Sequence, residues 1–192
     1  THTEGIGHIT KERISILESL KDEIIPSYLI TVVPKKSKEE YKPVLNAEDL
    51  VITKQQIQEN LQGVNNDFLK GLIIRTLPNL KQKKERNYMQ NPSSFFTIDA
   101  MNYIVGLGVK HLLVDTPSVD RLFDDGILSA HNIFWETKEK ILNIDALHKT
   151  ITEMIFVANE IKDGKYLLNL QFAPFVADAA PSRPILYKIN EL

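Results

Sequence analysis

Four segments of the chain repeat apolar residues at the spacing of about 3.6 residues that predicts a helix. Three of them follow a threonine whose hydroxyl can accept a hydrogen bond from a backbone N–H of the first helical turn. At one of these starts, Thr53 and Gln56 have the spacing of a capping box. The predicted helices run from Thr10 to before Pro26, from Thr53 to Gly63, from Thr97 to Gly106 or Gly108, and from Ile127 to Glu136.

Shorter apolar runs bounded by turn residues predict strands. They cover residues 28–33, 72–76, 109–115, 151–157 and 166–172. The order strand, helix, strand between residues 72 and 115 is typical of a parallel βαβ unit, in which sites collect at the carboxyl ends of strands. Residues 35–42 and the lysine-rich 81–86 are expected to be solvent-facing loops. The pattern predicts a mixed α/β fold and, without internal repeats, one domain over residues 1–192.

Composition narrows the classes of function. The 192 residues carry 23 basic and 25 acidic side chains, so the net charge of -2 offers no footprint for nucleic acid. No apolar run approaches the roughly 20 residues that span a bilayer, and we expect no membrane association. The chain has no cysteine, so any metal site must use histidine and carboxylate. We expect a cytoplasmic protein, although a signal peptide could precede Thr1.

The first eight residues contain a candidate metal site. In an extended segment His2 and Glu4 point to the same side, and His8 follows across a turn that could return its imidazole to the same ion. Imidazole and carboxylate suit zinc, manganese or iron. From these residues alone, an exposed polar terminus remains the alternative.

Glu153 and His131 each allow two interpretations, as a metal ligand or as a residue without a functional role. Glu153 stands within an apolar strand, where a carboxylate is seldom buried unless it is paired or bound to a metal. Alternation also allows it to face water on a half-exposed strand. His131 lies within a helical segment, where a lone histidine is more often structural than a ligand. His111 and His148 are interpreted as surface or packing residues.

Several ordered motifs together resemble the metal-dependent cyclase-like hydrolases, the family that includes bacterial kynurenine formamidase and isatin hydrolase. The family signature is His, any residue, Gly, Thr, His, any residue, Asp, and a further His four positions after the Asp. The chain keeps this spacing from Thr1 onward. Further similarities cover most of the chain: an apolar strand ending in Arg75-Thr76, the loop Asp115-Thr116-Pro117-Ser118-Val119-Asp120, Ala130-His131, the strand with Glu153, and Ala180-Pro181-Ser182-Arg183-Pro184.

The resemblance implies a layered β/β/α fold of the swivelling type with a central, largely parallel sheet. It makes His2 and Glu4 metal ligands, with His131 and Glu153 completing the site or holding a second ion, and His8 the proton donor and acceptor. The cofactor would be one or two ions of Zn²⁺ or Mn²⁺. Members of the family usually form dimers or tetramers, so a homo-oligomer is expected.

The chain also departs from the family pattern. The first family ligand would precede Thr1 by two positions, so we expect an upstream histidine and one or more initial strands outside this sequence. Glu4 replaces the family aspartate and adds one methylene, which affects whether one ion or two is bound. Residues 11–42 and 136–150 resemble insertions, the first of which could be a lid or an oligomer contact.

Together these features predict a hydrolase that opens a linear or cyclic amide. A divalent ion lowers the pKa of a bound water from about 15.7 toward 7, and a histidine can accept and return its proton near neutral pH. The alternatives are a protein of the same fold without turnover, a lactone hydrolase and a dehydratase. Phe95, Phe96, Trp135 and Phe172 could line an apolar substrate pocket or belong to the core.

Overall fold

The computed structural model describes residues 1–22 and 24–189. Four α-helices, ten β-strands and four short 3-10 helices make up the regular structure of these residues. The helices are α1 (Ile16–Ser19), α2 (Lys54–Asn60), α3 (Ile98–Gly106) and α4 (Ser129–Phe134). The strands are β1 (His2–Glu4), β2 (Ile24–Val32), β3 (Val51–Ile52), β4 (Gly71–Thr76), β5 (Phe95–Phe96), β6 (His111–Val114), β7 (Thr150–Glu153), β8 (Gly164–Asn169), β9 (Ala179–Pro181) and β10 (Ile185–Lys188). No helix in the described ranges combines the length and apolarity needed to cross a membrane.

Eight of these strands form one mixed sheet in the order β10-β8-β2-β4-β6-β7-β1-β9. The neighbours β2, β4, β6 and β7 run parallel, and the outer pairs are antiparallel. The mixed α/β class is therefore confirmed, but the sheet is not largely parallel as expected, because both chain ends add antiparallel strands. The layered β/β/α arrangement stays a prediction.

Strands β9 and β10 follow one another in the chain but lie at opposite edges of the sheet. Only Ser182, Arg183 and Pro184 connect them. The sheet must therefore curl to bring these two edges close together. One face of the sheet, with Ile73 and Leu113, belongs to an apolar cluster that includes residues of β8, whereas α2, α3 and α4 pack against the other face. The aromatic residues Phe95, Phe96 and Trp135 are fully buried in the packing and do not line an open pocket.

Local sequence signals account for the two longest helices. Thr53 Oγ1 accepts the backbone N–H of Gln56, and Gln56 Oε1 accepts the backbone N–H of Thr53, as the capping box predicts. Thr97 caps α3 through the backbone N–H of Ala100. The unit β4-α3-β6 is parallel, which confirms the predicted βαβ arrangement.

The region of residues 11–42 differs from its prediction. The first helix, α1, is capped by Ser15, which forms a capping box with Glu18. The Thr10 hydroxyl instead donates to the carbonyl of Ile6. Strand β2 begins before Pro26. At Pro26 the strand pairs only with β8, because its pairing with β4 starts at Ser27, so the proline lies where one side of the strand has no partner strand. The strand predicted at residues 28–33 is therefore present but begins earlier, as β2 within the sheet.

Three other predicted elements are shorter in the structure. The strand with Glu153 ends at that residue, because Met154 has a φ of 54°. The helix predicted from Ile127 to Glu136 is observed only as α4, and the strand predicted at residues 166–172 is observed as β8, which ends at Asn169. In the basic loop, Lys83 does not face solvent: its ammonium contacts the buried Asp115 at 2.6 Å.

His111 is a packing residue, as expected, and its burial has a consequence for stability. Its Nδ1 lies 2.8 Å from the Thr150 hydroxyl, while Nε2 is buried without a partner among the described residues. Burial lowers the pKa of His111 from 6.5 to about 4. The imidazole is therefore neutral in the folded protein at neutral pH.

We expect the contribution of His111 to the free energy of unfolding to fall as the pH drops from about 6.5 toward 4. In this range the unfolded chain binds a proton at His111 that the folded protein does not, and the cumulative loss is about 3 kcal/mol. Urea unfolding at a series of pH values measures it. His111→Gln should flatten this dependence, and His148→Gln, at an exposed position, should not. Equal pH dependence in wild type and His111→Gln would contradict the assignment.

Candidate metal centre

The register of two strands forms the base of the site. Strand β1 pairs antiparallel with β7, and His2 stands directly opposite Glu153. The Nε2 atom of His2 is 3.5 Å from Glu153 Oε2 and 3.9 Å from Glu4 Oε2. Because His2 and Glu4 are two residues apart on one strand, both side chains project to the same side of the sheet, as predicted. His2 is about one-third exposed, whereas both carboxylates are buried.

A tight turn after β1 returns His8 to this group. The 3-10 helix Ile6–His8 follows Gly5 and places His8 Nε2 3.3 Å from Glu4 Oε2. Glycine is needed at both ends of the turn. A Cβ on Gly5 would lie 2.3 Å from the Ser19 hydroxyl oxygen, and one on Gly7 would lie 2.1 Å from the Ile14 carbonyl oxygen. The turn is therefore packed closely against α1 and against the residue Ile14 just before it.

Helix α4 contributes His131 from above the sheet. Its Nε2 is 2.9 Å from Glu4 Oε1 and 3.7 Å from Glu153 Oε1, and the side chain is almost fully buried. Its Nδ1 lies 2.6 Å from Asp120 Oδ2. Asp120 is itself held by the backbone N–H groups of Ala130 and His131 and by the Tyr41 hydroxyl. This carboxylate fixes the orientation of the ring and directs Nε2 toward Glu4 and Glu153.

The ionisable groups of this cluster shift one another's pKa values, and the shift at Glu153 is upward. Burial and the nearby charge of Glu4 raise the pKa of Glu153 to about 8. Burial alone would also raise the pKa of Glu4, but the attraction of His131, His8 and His2 outweighs it and lowers that pKa. For His131, burial opposes the charged form, yet Glu4 and Asp120 on either side raise its pKa well above 6.5.

The donor set fits a divalent cation. His2, Glu4 and Glu153 each offer one ligand atom, and these three atoms lie within 4.8 Å of one another. Imidazole nitrogen with carboxylate oxygen is a ligand set that zinc and manganese accept. A cation there would offset the repulsion that raises the pKa of Glu153, and its binding would displace the proton from that carboxyl group.

The structure thus brings together all five residues singled out from the sequence: His2, Glu4, His8, His131 and Glu153. The half-exposed alternative for Glu153 is wrong, since β7 is buried at all four positions. His111 and His148 make their hydrogen bonds elsewhere, to Thr150 and to the Glu18 carbonyl.

Sequence reasoning missed two supporting carboxylates. Asp120 belongs to a loop noted for its family resemblance, but no role was assigned to it. Asp178 Oδ2 lies 2.8 Å from His8 Nδ1. It is the only acidic residue between Asp163 and Glu191. Its isolation in the sequence is the one feature that distinguishes Asp178, and this feature does not predict a contact with His8.

A comparison with protein families decides the relationship. Residues 1–121 match the family described as putative cyclase. The chain belongs to this family. The resemblance inferred from the motifs is therefore confirmed, and the match includes His2, Glu4 and His8 within the cyclase region. The curated proteins contain no match to the sequence.

Solved structures share the fold of this cyclase-family chain. A potential metal-dependent hydrolase with cyclase activity is 18% identical, with a TM-score of 0.65 over 96% of this chain and 76% of its own. An isatin hydrolase bound to the product analogue thioisatinate is 13% identical, with a TM-score of 0.61 over 96% and 69%. Isatin hydrolase A from Labrenzia aggregata, bound to benzyl benzoate, is 12% identical, with a TM-score of 0.63 over 96% and 70%.

Proposed function

We propose that the protein is a metal-dependent hydrolase that cleaves the C–N bond of a linear or cyclic amide. The observation that carries the proposal is the convergence of two buried carboxylates and three imidazoles from β1, β7, α4 and the turn after β1. Membership of the cyclase family and the isatin hydrolase neighbours support it, since isatin contains a cyclic amide.

In this proposal His2, Glu4, Glu153 and His131 hold one or two ions of Zn²⁺ or Mn²⁺. A divalent cation supplies Lewis acidity, which polarises an amide carbonyl and lowers the pKa of a water molecule. His131 Nδ1–H donates to Asp120, so Nε2 is the atom of this ring that could bind a cation once its own proton is displaced. Glu153 holds its orientation because its Oε1 accepts the backbone N–H of Val119 at 2.9 Å.

His8 is the proton carrier in this scheme. Its Nε2 faces the cluster beside Glu4, and about two-fifths of its side chain is exposed, so a substrate can reach it. At this atom it accepts the proton of the attacking water and returns it to the departing nitrogen. Neither Glu4 nor Glu153 needs to exchange that proton, which leaves both carboxylates free for the cation.

The proposal is tested with protein that has been stripped by a chelator and reloaded with Zn²⁺ or Mn²⁺. N-formyl aryl amines, isatin-type cyclic amides and lactones are supplied, and products are identified by mass. We expect amide hydrolysis only in the reloaded protein. His8→Ala should lower kcat about 100-fold or more while metal binding persists. His148→Ala, at an exposed histidine outside the site, is the matched control.

The possible outcomes separate the candidate functions. Turnover of lactones alone would identify a lactone hydrolase, and loss of water from a substrate would identify a dehydratase. Metal binding without any turnover would favour a protein of the same fold that has lost catalysis. Absence of metal binding by the reloaded protein would overturn the proposal.

A further inference from the structure

We propose that Asp178 is a positioning residue for His8, holding the proton of the neutral imidazole on Nδ1 so that Nε2 is the atom presented to the site. This inference rests on the proposed role of His8. Its direct observation is the 2.8 Å contact between His8 Nδ1 and Asp178 Oδ2.

The backbone places both partners independently of the contact itself. Strand β9 pairs antiparallel with β1, with Ala179 opposite Glu4, and the Gly5 N–H donates to the Asp178 carbonyl at 3.0 Å. Residues on either side of the turn are therefore attached to the segment that carries Asp178. Because the backbone N–H of Ile16 also donates to the Ala177 carbonyl at 2.8 Å, this segment is fixed from two sides.

The chemistry of a carboxylate determines which nitrogen of His8 carries the proton. An ionised carboxylate only accepts hydrogen bonds, so the nitrogen facing Asp178 must be the protonated one. The pKa of Asp178 is lowered, chiefly by its hydrogen bond with His8, and backbone N–H groups of Asp178 and Ala179 act in the same direction. Nε2 also faces a carboxylate, that of Glu4, but at 3.3 Å against 2.8 Å for Nδ1 and Asp178. A neutral imidazole therefore keeps its one proton on Nδ1 and its lone pair on Nε2.

The arrangement repeats the one at His131. There Asp120 contacts Nδ1 at 2.6 Å and leaves Nε2 toward Glu4. The two pairs differ in burial, because His131 and Asp120 are buried whereas His8 and Asp178 are two-fifths and one-half exposed. An exposed ion pair contributes little to stability, so the effect of Asp178 is expected on the state of His8 and not on folding.

The first test measures the tautomer directly in metal-free protein. The ¹⁵N shifts of the His8 ring, recorded at alkaline pH, distinguish protonated from unprotonated nitrogens. We expect Nδ1–H in the wild type and a marked population of Nε2–H in Asp178→Asn, because an amide N–H₂ can donate to Nδ1. Asp178→Glu should keep Nδ1–H. An unchanged tautomer in Asp178→Asn would overturn the proposal.

The second test uses the reloaded enzyme. Asp178→Asn should lower kcat about 10- to 100-fold with KM and metal affinity within about 2-fold of wild type, and Asp178→Glu should recover part of the loss. Asp22→Asn is the matched control, since Asp22 is also about two-fifths exposed and makes one 2.8 Å ion pair, with Lys70. An unchanged kcat in Asp178→Asn would overturn the positioning role.

The two readouts keep the two proposals apart. If the wild type hydrolyses none of the amides, the proposed function fails, yet the ring shifts of His8 still decide whether Asp178 sets the tautomer. If the wild type is active and Asp178→Asn matches it, the positioning role fails and the proposed function stands.

Discussion

Replacing Glu4 with glutamine is expected to weaken Zn²⁺ and Mn²⁺ binding by more than about 100-fold, since loss of a supporting group around a metal already costs about 10- to 100-fold. Glu4 is central to the cluster: its two oxygens lie 2.9 Å from His131 Nε2 and 3.3 Å from His8 Nε2. Glutamine has the same shape but offers one neutral oxygen in place of a carboxylate. Titration calorimetry with each metal on chelator-treated protein measures the change.

The fold should survive this substitution. His131 keeps its hydrogen bond to Asp120, and the pairing of β1 with β7 and β9 does not depend on the Glu4 carboxylate. Circular dichroism should therefore be unchanged in Glu4→Gln. Glu160→Gln provides the matched control at an exposed glutamate and should bind metal as the wild type does. Wild-type affinity in Glu4→Gln would remove Glu4 from the ligand set.

The largest effect on stability is expected at Lys83. Lys83→Met should lower the free energy of unfolding by about 3–5 kcal/mol at neutral pH, because it leaves the buried carboxylate of Asp115 without its cation. The Lys83 ammonium lies 2.6 Å from Asp115 Oδ2 and within 2.9 Å of both the hydroxyl and the carbonyl of Thr76. The Asp115 side chain has no exposed surface. Urea unfolding measures the loss.

The pH dependence gives this prediction a second measurement. Burial already raises the pKa of Asp115, and loss of Lys83 should raise it further. An acid whose pKa is raised by folding binds its proton more tightly in the folded state, so stability falls as the pH rises through that pKa. The deficit of Lys83→Met should therefore be smallest at low pH.

Two variants complete the comparison. Adding Asp115→Asn to Lys83→Met should recover much of the lost stability, because no unpaired charge is then buried. Lys81→Met changes an exposed lysine on the same 3-10 helix, Lys81–Glu85, and should stay within about 0.5 kcal/mol of wild type. If Lys83→Met and Lys81→Met had the same free energy of unfolding, the ion pair between Lys83 and Asp115 would not contribute to stability.

The sequence predicts features that depend on neighbouring residues. Thr53 with Gln56, and Thr97 ahead of its apolar positions, define helix starts through contacts three residues apart. The strand with Arg75 is a continuous apolar run, which is typical of a strand buried on both faces. For the site, spacing within residues 2–8 suggested His2, Glu4 and His8, and His131 and Glu153 were added only by the resemblance to the family.

Features that depend on distant contacts were not predictable. Alternation alone could not assign Glu153, because its burial results from β1 on one side and α4 above it. A lysine-rich stretch is usually solvated, and only the buried Asp115 reverses this for Lys83. Asp178 meets His8 across 170 residues, so no local pattern connects them.

The position of β1 between β7 and β9 also bears on how the protein is assembled. The first strand finds its partners only after most of the chain has been synthesised, and the contact between Thr3 and Thr152 closes a separation of 149 residues. Contacts of such long range form slowly because the loop must be closed first. We therefore expect the three ligating atoms of His2, Glu4 and Glu153 to come together late in folding, and a bound cation would then link β1 to β7.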